Sequence, residues 1–104
     1  MANDPNIKII ELDTPLARGE EKIGKLTLRK PDSGELRGLS LAKLGNADVT
    51  EILKLLPRIT MDPTITAAEA DKIDPADLME VADKVGDFFL TKRRLAELEA
   101  FRTT

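Results

Sequence analysis

Apolar residues recur along this chain in two different periods, and the change from one to the other divides it. Ile7-Lys8-Ile9-Ile10-Glu11-Leu12 is rich in β-branched residues and partly alternates, which predicts a strand. Asp13-Thr14-Pro15 is expected to break it, and Arg18-Gly19-Glu20-Glu21 reads as a polar connector with a turn-permissive glycine. Lys22–Lys30 alternates again: Ile23 is followed out of phase by Leu26 and Leu28, with Lys25, Thr27 and Arg29 on the other face. Gly24 marks the position where a bulge would shift the phase. Together these segments predict an antiparallel hairpin with a long loop. A hairpin of this size is marginal alone and must pack on something.

Beyond Pro31 the period becomes helical. Asp32 with Glu35 has the form of a capping pair, so a helix is expected to start here. Leu36, Leu39 and Leu44 share a broad arc, Leu41 falls nearly opposite, and Gly45-Asn46 is a stop. Asp48 and Glu51 restart the pattern, and Val49, Ile52, Leu53, Leu56 and Ile59 follow at helical spacing. Pro57 is expected to end or bend that helix at Leu56, because a proline disfavours helical geometry in the residue before it. Thr60–Ile65, with Pro63, reads as a loop, and Thr66-Ala67-Ala68-Glu69 as a capping box for a short helix.

The strongest start signal is Asp74-Pro75: Asp caps, Pro takes the first helical position, and Asp77 sits favourably against the helix dipole. Leu78, Val81, Ala82, Val85, Phe88 and Phe89 then form one stripe. Leu95, Leu98 and Phe101 fall on a different face, so the chain either kinks near Thr91 or offers a second face to another chain. The predicted class is α+β: one small domain with an N-terminal antiparallel β-hairpin followed by four or five helices. Its parts are a disordered lead (1–6), the hairpin (7–30) and a helical part (32–90) that together make the domain 7–90, and a basic helical tail (91–104). No βαβ alternation argues for a parallel sheet.

Composition narrows the chemistry more than the fold. The 104 residues suffice for one modest core. With aromatics at 3%, all phenylalanine, that core must be aliphatic. There is no His, Cys, Trp or Tyr. The chain therefore lacks the usual neutral-pH acid/base, thiolate and imidazole metal ligands, thiol nucleophiles and disulfides. The net charge of −3 is uneven. Residues 1–64 are neutral, residues 65–90 hold seven acidic and two basic side chains, and residues 91–104 hold four basic and two acidic ones. That balance argues against nucleic-acid binding, and the short run Lys92-Arg93-Arg94 does not overturn it. Polar Met1–Asn6 predicts no signal peptide, and no apolar run approaches the ~20 residues that span a bilayer.

No catalytic or metal constellation emerges. Gly34 and Gly38 lack the Lys-Ser/Thr that a phosphate loop needs. Glu20-Glu21 and Asp71 with Asp74 sit in solvated or capping positions, and Asp71–Glu80 lacks calcium-loop spacing. Arg29, Lys30, Arg37 and Arg58 could form a basic patch for an acidic partner, or be solvated charges beside the hairpin and two helix ends. Phe88-Phe89 fits a core anchor better than a binding hot spot in a chain this poor in aromatics.

Four groups of residues carry a resemblance: Arg29-Lys30-Pro31, Gly34-Glu35-Leu36-Arg37-Gly38-Leu39, Leu55-Leu56-Pro57-Arg58-Ile59 and Asp74-Pro75-Ala76-Asp77-Leu78. Leu12-Asp13-Thr14-Pro15 followed by Arg18-Gly19-Glu20 adds a fifth. In order and spacing the chain resembles the phage tail assembly chaperone family of Mu-like and related contractile-tailed phages, from about Ile7 to Leu90. The resemblance implies a non-enzymatic factor that binds the tape measure protein, keeps it soluble and helps initiate tail tube polymerisation. It implies contact with the tail tube protein through a longer form made by translational frameshifting. It also implies action in the host bacterial cytoplasm, absence from the mature virion, and no cofactor, nucleic acid or membrane. Self-association is left open. Competing readings are a small regulatory adaptor or a structural tail component. Candidate interface residues are Arg37, Leu41, Arg58, Leu95, Leu98 and Phe101.

Overall fold

A computed structural model describes residues 6–102, apart from the side chains of Lys92, Leu95, Glu99 and Arg102. Of the polar lead, residues 1–5 lie outside the described residues. Asn6 already belongs to the fold, its carbonyl accepting from Lys30 N at 2.7 Å.

Strands β1 (Ile7–Arg18) and β2 (Glu21–Arg29) pair antiparallel from Ile7↔Arg29 to Arg18↔Glu21. The hairpin loop is therefore two residues long, not the long loop expected. Gly19 takes it at φ +61, and a positive φ at the first of two loop positions is the II′ solution that glycine supplies. The correction follows from Asp13-Thr14-Pro15, which lies inside β1 instead of ending it. Between the pairs Glu11↔Lys25 and Leu16↔Ile23, five residue steps on β1 face two on β2. Pro15, having no N–H, sits in this lapse of the ladder, where a strand tolerates it. The irregularity lies opposite Gly24 as expected, with the surplus residues on β1. Ile23 and Leu26 are both buried, while Gly24 and Lys25 between them are exposed.

The single helix expected after Pro31 is broken in two. Ser33–Leu36 is one 3₁₀ turn, and helix α1 (Leu41–Gly45) follows. Gly38 separates them at φ +84, a conformation no helix continues through. Ser40 caps α1, its Oγ accepting from Lys43 N at 3.2 Å. Helix α2 (Val49–Ile59) starts at Asp48, whose Oδ1 accepts from Glu51 N at 3.1 Å. It runs through Pro57 instead of stopping at Leu56, because Pro57 falls in the last turn and removes only one ladder bond. Thr60–Met61, expected as loop, forms a short strand β3 opposite Thr27 and Leu28 of β2. The sheet order is β1-β2-β3.

Helix α3 (Ala67–Ala70) carries the expected box: Thr66 Oγ1 accepts from Glu69 N at 3.1 Å, and Glu69 Oε1 from Thr66 N at 2.9 Å. Helix α4 (Pro75–Phe88) is capped by Asp74, and helix α5 (Lys92–Arg102) begins just after Thr91. Helices α2 and α4 pack on the sheet face that carries Ile10, Leu12, Leu26 and Leu28. Among the described residues, every buried apolar side chain lies between Ile10 and Phe88, and apart from Phe88 they are all aliphatic. The result is the α+β arrangement expected, a hairpin-based sheet with helices on one face.

Candidate functional site

Three polar junctions tie the distinctive segments together. At the first, Arg29 pairs with Glu35 through both guanidinium ends, with Nη1 at 2.7 Å from Oε1, and its Nη2 also donates to the Arg58 carbonyl at 2.8 Å. Arg58 reaches back across the same turn, donating from Nη1 to the carbonyls of Glu35 (2.6 Å) and Arg37 (2.9 Å). The 3₁₀ turn is thus held by cations from the end of β2 and the end of α2.

Opposite it, Arg18 donates to both oxygens of Glu69, at 2.8 and 2.7 Å, and to the Thr64 carbonyl at 2.9 Å. This second junction fastens the end of β1 to the start of α3.

The third junction is buried. Asp77, only 3% exposed, accepts from Asp13 N at 2.9 Å and from Thr14 N at 3.0 Å. Those two N–H groups lie in the stretch of β1 that has lost its partners on β2. A buried amide without an acceptor costs about 1–3 kcal/mol, so the Asp77 carboxylate makes the irregularity affordable. The sequence placed Asp77 beside the helix dipole but gave no sign that it clamps a strand.

The carboxyls of Glu35 and Glu69 are both held down at about 2, by the guanidinium hydrogen bonds of Arg29 and Arg18 first and by backbone N–H groups second. Their ordinary value is 4.5, so these junctions contribute stability above that pH and lose it as pH falls from 4.5 towards 2. The melting temperature should fall across that window. A Glu35→Gln/Glu69→Gln double variant should show a shallower fall, and an unchanged slope would refute the assignment. Both pairs meet solvent, so added salt should weaken the effect.

The interface candidates are not brought together. Arg58 is engaged with two carbonyls, whereas the Arg37 side chain points to solvent and only its backbone joins the junction. Leu41, first residue of α1, is 63% exposed. Phe101 is 78% exposed on α5, and the side chain of Leu95 lies outside the described residues. Phe88 is buried and Phe89 packs against the core, as a structural role requires.

Leu98 does enter a defined place. It lines an open groove of about 380 Å³ with Ala47, Met79, Ala82, Asp83, Gly86, Asp87 and Leu90. Met79, 74% exposed, was missed by the sequence reading. Its signal was present: a large apolar side chain off the buried stripe of α4. Among the described residues, no group of three or more carboxylates could hold a metal ion. No helix there is long and apolar enough to cross a membrane.

Comparison with known proteins adds identity to this geometry. A family model described as phage tail assembly chaperone proteins, E, or 41 or 14, matches residues 9–90. Tail assembly protein E of Escherichia phage P2 is 44% identical over 80 residues, 77% of this chain and 87% of that protein. Tail assembly protein E′ of the same phage is 42% identical over 84 residues, 81% of this chain but 58% of that longer protein. No solved structure matches the chain. Every segment joined by the three junctions lies inside the matched span, and on that match the chain belongs to the phage tail assembly chaperone family.

Proposed function

We propose that this chain binds the tape measure protein of its phage, keeps that long helical partner soluble, and helps initiate tail tube polymerisation around it. The observation that carries the reading is the family match over 9–90, together with relatives whose names make them tail assembly proteins. The surface agrees with it. Leu41, Val49, Met79 and Phe101 are large apolar side chains held in water by a fold whose core is complete without them. Such residues suit contact with helical segments that would otherwise aggregate.

The chain acts here as a binder, not an enzyme. It contains no His, Cys or Tyr, and the carboxylates of its three junctions, Glu35, Glu69 and Asp77, are occupied by guanidinium or backbone N–H groups. The coexistence of a shorter and a longer relative in one phage supports a second, longer product made by frameshifting, which contacts the tail tube protein. The working place is the host cytoplasm, and the chaperone leaves before the particle is finished.

Co-expression tests this. With this chain present, the tape measure protein encoded beside it should move from the insoluble to the soluble fraction. Purified tails examined by mass spectrometry should lack the chain. An insoluble tape measure protein at all expression ratios would defeat the reading.

A further inference from the structure

Among the described residues β2 is the only strand beside β1, so β1 is an edge of the sheet. In an antiparallel ladder alternate residues turn their N–H and C=O groups to the partner strand, and the rest turn theirs away. The bond from Lys30 N to the Asn6 carbonyl, at 2.7 Å, sets the phase. Asn6, Lys8 and Ile10 face β2, so Ile7, Ile9 and Glu11 direct their backbone groups outward. Asp13 is next in that outward series, and its N–H is one that Asp77 captures. Helix α4 therefore closes the downstream end of the edge, and 7–11 stays open. Its outward N–H and C=O groups have no partner among the described residues.

Sheet edges are ordinarily blunted by a proline, a bulge or a covering helix. Here Pro15, the irregularity and Asp77 all act beyond Glu11. Along 7–11 the solvent face of the sheet carries Ile9, 57% exposed.

This open stretch matches itself. Laid antiparallel on a second copy about a twofold axis at Ile9, Ile9 meets Ile9 and Ile7 meets Glu11, so each outward donor finds an outward acceptor. An axis at Lys8 would set two lysines opposite each other. An axis at Ile10 would set Ile7 against Asp13, whose N–H is already taken. We infer that two copies of this chain join through residues 7–11 of β1, merging their three-stranded sheets into one continuous sheet centred on Ile9. The helices of both copies then lie on the same face. A helical partner cannot supply a strand to this edge, whereas a second copy can. Five residues a side is far below the ~20–30 of a standard interface, so the dimer is weak, with a dissociation constant on the order of 100 µM. The pairing itself does not depend on the tape measure reading. Its use does: copies crowded along one partner would pair at high effective concentration.

The chain alone tests the inference. Sedimentation of the full chain should show its mass rising from one copy towards two between about 10 µM and 1 mM. Ile9→Lys, on the solvent face, should weaken this more than about tenfold with an unchanged thermal melt. Because the chain has no cysteine, single cysteines read the register. Under oxidation Ile9→Cys should cross-link to its twin, the two Cα atoms being about 5.5 Å apart. Ile7→Cys and Glu11→Cys should each fail alone and cross-link when mixed. A chain that stays monomeric to 1 mM overturns the dimer. If amide protection at Ile7, Ile9 and Glu11 then appears only with the tape measure protein, the edge takes a strand of that partner instead. Undiminished dimerisation of Ile9→Lys would move the interface to another surface, and cross-linking of Glu11→Cys alone would refute the register.

Discussion

Replacing Asp77 by asparagine should cost about 2–3 kcal/mol of folding stability, a large loss for a side chain that changes so little in shape. The carboxylate accepts two backbone N–H groups, one on each oxygen, from Asp13 and Thr14. An amide keeps one acceptor and turns the other position into a donor facing a donor. The negative charge at the start of α4 is lost too, where the helix dipole favours it. The destabilisation should appear as a lower urea midpoint with an unchanged slope. Glu80→Gln, an exposed carboxylate one turn along α4, is the control and should stay within about 0.5 kcal/mol of wild type. If Asp77→Asn behaves like that control, Asp77 is not a clamp and the strand through Pro15 is held by something else.

A second pair of substitutions separates core from surface. Leu28 on the central strand is 0% exposed, next to β3 and under α2. Leu28→Ala should cost about 3–4 kcal/mol, the transfer of the lost methyl groups plus the cavity left among neighbours that cannot collapse. Leu41→Ala removes the same atoms from a position 63% exposed and should change stability by no more than about 0.5 kcal/mol. Thermal melts of the two variants beside wild type decide the point. Equal losses would mean that Leu41 belongs to the core.

What could be read from the chain was local. Thr66 with Glu69, Asp48 before Glu51, and Asp74-Pro75 each announce a helix start from residues within one turn, and each cap is present. Leu78, Val81, Val85, Phe88 and Phe89 of the apolar stripe face inward for the same reason, one period deciding it, whereas Ala82 lines the open groove. What could not be read depends on partners far away. Pro15 looks like a strand breaker until Asp77, more than 60 positions downstream, takes the stranded N–H groups of Asp13 and Thr14. Arg58 looks like a free cation until the chain folds and the carbonyls of Glu35 and Arg37 come within reach. The helix expected from Asp32 to Gly45 gives way at Gly38, whose positive φ no local pattern announced.

The residue groups that mark the family gain a physical meaning from this. Arg29, Glu35 and Arg58 meet at one junction, and Asp13-Thr14 meets Asp77 at another. They hold the hairpin to the helices. The exposed apolar residues and the α4 groove lie elsewhere, so the segments most useful for recognition need not be the ones that touch a partner.

Whether the chain coats a partner is settled most directly by titrating the purified tape measure protein with it and measuring the mass of the complex by light scattering. Several copies should bind reversibly along each tape measure chain, with modest affinity per copy, since release must accompany tube growth. One tight, irreversible site per chain, or no complex at all, would contradict it.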